Sequence, residues 1–247
     1  MKRLILTLTA VMCLNGVTFA AIDWESKGMQ MVGEIVANPA AFFYDFQQDL
    51  EGTVPLPPGK SLGFQTGLFP TLLPLGYANV SAKYRLHGEG RLAPGVPQVD
   101  FIGGYWNMVW AKLAANQSDT IDDARFNGYY LGAVVSSSVS PRIRTFWGYK
   151  RSALAARLGF KQGKEPDFMG TRVNSFDSGF KDDFFIAGIE SPRSIDKFWS
   201  MQLNYGIKTQ TFSTKLSWYG KVFELGLNIY PEGVLVIHPV WNLHLNF

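Results

Sequence analysis

Over the last third of the chain, large apolar residues alternate one for one with small or polar ones. Across 199–208, Trp199, Met201, Leu203, Tyr205 and Ile207 oppose Ser200, Gln202, Asn204, Gly206 and Lys208. Across 212–219, Phe212, Thr214, Leu216 and Trp218 oppose Ser213, Lys215, Ser217 and Tyr219. Phe223, Leu225, Leu227 and Ile229 then oppose Glu224, Gly226 and Asn228, and Pro231-Glu232-Gly233 supplies a turn. The final run sets Trp241, Leu243, Leu245 and Phe247 against Asn242, His244 and Asn246. A period of two is a β-strand with two unlike faces. The same period runs through 76–88 and 142–150. Further strands are expected near 61–69, 98–110, 126–138 and 182–191, where glycines and aromatics on both parities leave the faces unassigned.

These runs predict an all-β fold: a closed antiparallel transmembrane β-barrel of about ten strands, with roughly eight to twelve as the range. A sheet this large with few helices removes its unpaired edges by closing on itself. A soluble barrel also alternates, but it buries the apolar face and shows the polar one. Bulk decides for the membrane: five large apolar residues on one face of 199–208 exceed what a narrow lumen holds. Trp147, Tyr149, Trp199, Trp218 and Trp241 stand towards strand ends, as interfacial girdles require.

The run Trp241-Asn242-Leu243-His244-Leu245-Asn246-Phe247 resembles the C-terminal strand of outer-membrane β-barrels. That resemblance implies that the assembly machinery of the outer membrane reads Trp241, Leu243, Leu245 and Phe247 as a signal. It implies a porin-like monomer in the outer membrane of a Gram-negative-type bacterium, with outer-membrane lipids and lipopolysaccharide as partners. It does not extend to a particular family.

The other end differs. Lys2 and Arg3, the apolar run Leu4 to Leu14 and Thr18-Phe19-Ala20 predict a signal peptide over 1–20, too short for a spanning helix. Removing it removes Cys13, the one cysteine, and with it disulfides, thiol nucleophiles and cysteine metal ligands. It also removes two of 23 basic residues against 20 acidic ones, and near-neutrality gives no footprint for nucleic acid. Residues 21–59 form a helical extension and connector ahead of a barrel domain at 60–247. Within the extension, Asn38-Pro39 opens a helix, Phe42, Phe43, Phe46 and Leu50 make one face, Gly52 ends it, and Pro55, Pro57 and Pro58 stiffen the link. It packs under the barrel, plugs the lumen, or anchors to the inner leaflet.

With an even strand count and a periplasmic C-terminus, the long polar connectors near 112–124 and 152–181 fall outside. Ser140-Pro141 and Ser191 to Asp196 fall in the periplasm.

On the inward parity lie Lys83, Arg85, Arg142, Arg144, Lys150, Lys208 and Lys215, with Glu224 as the firm acid. They form either a cationic lining that favours anions or an interior knitted by ion pairs. His87, His238, His244, Asn228 and Asn242 share that parity. The histidines lack metal-ligand spacing, so neither a metal nor another cofactor is expected. Outer-membrane barrel lipases place Ser and His on the lipid-facing wall. The set to test here is His238 with Ser213 or Ser217 and Glu224, with Pro239 able to shift the His238 face through a bulge. The expected role is structural, binding or a narrow conduit, without catalysis. An outer-leaflet lipid enzyme and a soluble periplasmic ligand-binding barrel are the alternatives.

Overall fold

The structure is a computed structural model, and it describes residues 48, 51, 54–69, 77–168, 171–192, 194, 197–231 and 237–247. The proposed signal peptide and all of 21–59 except 48, 51 and 54–59 lie outside the described residues. Of the expected helix, Gln48 is described and is helical.

Ten strands close into an antiparallel barrel. They are β1 (Leu62–Phe69), β2 (Tyr77–His87), β3 (Gln98–Met108), β4 (Ile121–Ser140), β5 (Ile143–Phe160), β8 (Ser175–Pro192), β9 (Phe198–Gly206), β10 (Phe212–Tyr219), β11 (Phe223–Ile229) and β12 (Ile237–Asn246). A separate pair, β6 (Asp167–Phe168) and β7 (Thr171–Arg172), tips the β5–β8 connection. The helix α1 (Val109–Gln117) joins β3 to β4. Each barrel strand pairs with its neighbours in the order of the chain, and β1 meets β12 at the seam. There Gly63 faces Asn246 and Gln65 faces His244, while the Phe64 and Phe247 rings meet edge to face at 6.3 Å.

The faces divide as alternation requires. On β9, Ser200, Gln202, Asn204 and Gly206 are buried, whereas Trp199, Met201, Leu203 and Tyr205 face out. On β12, His238, Asn242 and His244 are buried and Trp241, Leu243 and Leu245 are exposed. The interior is not uniformly polar. Trp106, Met108 and Leu154 make one apolar cluster, and Val134, Phe146, Phe184 and Ile186 make another, all on the inner side of β3, β4, β5 and β8. Of these, β3, β4 and β8 are strands whose faces parity alone did not assign: aromatics on both parities fill the lumen as well as coat the wall. Gly104 makes room there, since a Cβ on it would stand 2.4 Å from the Tyr130 ring.

The expected outer connectors are shorter than sequence suggests. β4 begins at Ile121, β5 runs to Phe160 and β8 starts at Ser175, so 161–174 is the connection where 152–181 was expected. Above an apolar belt both faces of a strand meet water, and a ladder built of polar residues reads as loop. The result is a three-stranded blade of β4, β5 and β8 that overtops β9, β10 and β11. β8 pairs with β9 only between Phe184 and Pro192. The opposite end, where β1 begins and β12 finishes, carries the two-residue turn 141–142 and the longer connector 88–97. Pro239 makes no bulge. It stands in register opposite Leu227, in the stretch of β12 above its pairing with β1, and such a one-sided position tolerates proline.

Candidate functional site: the lumen

The inward side chains form four knots, each built on a buried carboxylate. Glu224 is fully buried and stands opposite Asn242. It accepts hydrogen bonds from Ser217 Oγ at 2.5 Å, from Asn242 Nδ2 at 2.6 Å and from Gln65 Nε2, and Lys215 Nζ lies 3.5 Å away. Asp100 gathers Gln98 Nε2 at 2.6 Å, with Lys83 Nζ and Arg85 Nε at 3.4 Å each. Register makes this knot, because Arg85 pairs with Asp100 across β2 and β3.

The third carboxylate comes from the segment before the barrel. Glu51 Oε2 lies 2.5 Å from Lys150 Nζ, and Ser152 Oγ donates to Glu51 Oε1. Lys150 also lies over the Phe184 ring, 4.9 Å from its centroid. Gln48, higher up, accepts from Ser213 Oγ at 3.2 Å. Val54 and Leu56 are buried, and the Leu56 and Pro57 carbonyls accept from Arg85 at 2.7 and 3.2 Å. The described part of this segment therefore threads the lumen, which is the plug arrangement. A cavity of about 20 Å³ lies in mid-lumen, lined in part by Glu51, Val54, Lys83, Tyr130, Lys150 and Gln202. That is room for about one water molecule.

The fourth knot closes the end near the chain's C-terminus. Arg144 Nη2 donates to Ser136 Oγ at 3.0 Å and stands 3.7 Å from Glu89, while Nη1 stands 3.9 Å from Glu190. Glu89, on the 88–97 connector, accepts from Ser138 N at 2.8 Å and Ser138 Oγ at 2.6 Å. The hydroxyl bond first, then the amide bond and the Arg144 charge, hold its carboxyl below the usual range against the opposing effect of burial. An open pocket of about 460 Å³ lies here, between this connector and the β4–β5 turn.

The expected basic residues thus divide. Lys83, Arg85, Arg144, Lys150 and Lys215 point inward, each beside a carboxylate. Arg142 is exposed on the β4–β5 turn. Lys208 is exposed beyond β9, where its amide donates to Asp182 Oδ1 at 2.9 Å. Thr209 donates to the same carboxylate, which pins the β9–β10 turn to β8. Gln210 completes that turn with φ 57°, a left-handed position. Glu51, Asp100 and Glu190 are the partners the sequence did not single out.

His238 packs against Tyr230 at 5.4 Å and His244 against Tyr219 at 5.8 Å, both inside, while half-buried His87 sits at the strand end. His238 pairs with Asn228, and Glu224 pairs with Asn242. Their levels are therefore four residues, roughly 13 Å, apart along the strand. Ser217 bonds Glu224 but His238 does not share that level, and all these groups face the lumen. Among the described residues, no cluster of three or more His, Cys, Asp or Glu is placed to hold a metal ion. The arrangement sets buried charges beside opposite charges. No family model, no curated protein and no solved structure matches the chain.

Proposed function

We propose that the chain is an integral outer-membrane barrel, monomeric, with its lumen shut by Gln48, Glu51 and residues 54–57 and serving a structural or binding role rather than catalysis. One observation carries the reading: the polar faces are buried and the apolar faces are exposed. Leu131, Trp147, Trp218 and Leu245 are each more than half exposed on the outer wall, while Glu224, Ser152 and Asn228 are sealed inside. In water this is the costly orientation, since each large apolar side chain left exposed forgoes about 1.5–3 kcal/mol of burial. Hydrocarbon around the wall removes that cost. The soluble ligand-binding alternative requires the reverse. The same reading assigns the outward row Trp241, Leu243, Leu245 and Phe247 to the surface offered to the assembly machinery, and outer-membrane lipids to the belt.

Two substitutions of one residue type test it. Leu203→Arg, on the belt, is expected to cost about 2–4 kcal/mol of unfolding free energy in vesicles. Leu92→Arg, on the water-exposed 88–97 connector, is expected to be near neutral. Urea titrations in lipid vesicles read both. Equal small costs, or a folded monomer that needs no detergent, would overturn the membrane reading.

A further inference from the structure

The outer wall of the β4–β5–β8 blade changes character above the apolar belt. One rung of the ladder sets Leu131, Arg151 and Asp183 side by side, and the next sets Tyr129, Ala153 and Lys181. Above them lies a rung of small groups, Asn127, Ala155 and Gly179. Above that, Arg125 stands directly opposite Arg157, which stands opposite Asp177.

Two like charges facing one another across a sheet are destabilising. Two acids stand beside the two arginines. Asp123 Oδ2 lies 2.9 Å from Arg125 Nε and 3.9 Å from Arg157 Nε, and Asp177 Oδ1 lies 3.6 Å from Arg157 Nε. Every one of these contacts uses Nε. Both side chains are more than half exposed, so their guanidinium groups are open to solvent. The small rung beneath them forms the floor of a groove of about 350 Å³, with the arginines along its upper lip. Two outward forks above a shallow, small-residue floor suit a planar ring carrying a phosphate, because guanidinium donors match phosphate oxygens in pairs.

Height narrows the ligand. Arg125 is four residues above Tyr129, roughly 13 Å along a strand and ~10 Å in height at barrel tilt. An ordinary phospholipid headgroup layer adds only about 5–7 Å to each side of the hydrocarbon. A headgroup of phosphorylated sugars stands taller. We propose that this groove binds the phosphorylated sugar headgroup of an outer-leaflet glycolipid, with Arg125 and Arg157 clamping one phosphate through Nη and the sugar lying over Ala155 and Gly179. Lys181, lower on the same wall, faces a second anionic group nearer the acyl chains. The bound anion also relieves the repulsion between the paired arginines. This rests on the outer-membrane reading and names its lipid.

The test uses the full chain, purified folded in a zwitterionic detergent and checked for heat-modifiable migration. Native mass spectrometry measures retention of diphosphoryl lipid A, the same lipid stripped of phosphate, and phosphatidylglycerol. Diphosphoryl lipid A is expected to bind about tenfold or more tightly than either, the worth of one charge-assisted pair. Arg125→Gln with Arg157→Gln is expected to abolish that preference. Lys164→Gln with Lys197→Gln, a matched loss of exposed charge elsewhere, keeps it. If the double variant migrates as unfolded, Arg157→Gln alone carries the comparison and is expected to lose most of the preference. Equal retention with and without lipid phosphate, or an unchanged preference in the arginine variant, overturns the proposal. So does displacement of the lipid by inorganic phosphate, which marks a site for the free anion. Either failure leaves the barrel in its membrane, whereas a detergent-free folded monomer defeats the parent reading before any lipid is added.

Discussion

Replacing Glu224 with Ala is expected to lower the unfolding free energy of the barrel by about 3–5 kcal/mol, the cost of leaving a buried charge without its partner. Glu224 has no exposed surface, and Lys215 is only 4% exposed at its side chain. Without the carboxylate, Lys215 keeps a charge that no water reaches, and Gln65, Ser217 and Asn242 each lose an acceptor. Glu224→Gln combined with Lys215→Met removes both charges and retains an amide for the neighbouring donors, so most of the loss is expected to return. Urea unfolding of the three variants in vesicles measures this. A Glu224→Ala cost under about 1 kcal/mol would mean that water penetrates the lumen, and the closed interior would be wrong.

Deleting residues 21–57 while keeping 1–20 is expected to convert a silent barrel into a conducting one. In the intact chain, Glu51, Val54 and Leu56 are buried within the barrel, and the mid-lumen cavity beside Glu51 and Val54 is about 20 Å³. Deletion empties that volume and frees Lys150 from Glu51 and Arg85 from the carbonyls of Leu56 and Pro57. The lining then gains positive character, so the current is expected to favour anions, and Lys150→Gln with Arg144→Gln to weaken that preference. Planar-bilayer recordings of both proteins decide it. A deletion variant that stays silent would place the closure in the wall itself, in Tyr130, Phe146 and Phe184, and the segment would then be packing rather than a gate.

Alternation made the polar half of the barrel legible. In β9, β10, β11 and β12 most inward residues are small or polar, Phe198, Tyr219 and Val240 being the large ones, so parity gives the faces directly. Parity gives no such answer in β3, β4 and β8, because Trp106, Val134, Phe184 and Ile186 are apolar and inward, whereas in β5 it set Phe146 inward with Arg144 and Lys150. The ion pairs were half legible. Lys83, Arg85 and Lys215 stand out as charges among apolar neighbours. Their acids depend on register: Asp100 becomes a partner only when β2 and β3 align Arg85 with it, and Glu51 only when a segment outside the sheet is folded into it. Alternating inward Gln98 and Asp100 was the one local signal available. Arg142 and Lys208 carry the right parity at the wrong place, a turn residue and one just past a strand end, where parity ceases to fix direction. The paired arginines of the outer wall were hidden for the same reason as Asp100, since Arg125 and Arg157 are neighbours only across a ladder.

The barrel wall is uneven, and in the membrane proposed for it that has a consequence for the surrounding bilayer. β10 has 8 residues and β11 has 7, whereas β4 has 20 and β5 and β8 have 18 each. Seven or eight residues at barrel tilt rise only roughly 18–20 Å. The hydrocarbon of an average bilayer is about 30 Å thick. Beside β10 and β11 the lipid must therefore thin, at a fraction of a kcal/mol for each ångström of mismatch, while beside β4 and β5 it need not. The protein is a wedge in thickness. It fits best in a membrane that is already thin, as the bacterial outer membrane is, and in vesicles of short-chain lipid it should fold more completely than in long-chain ones.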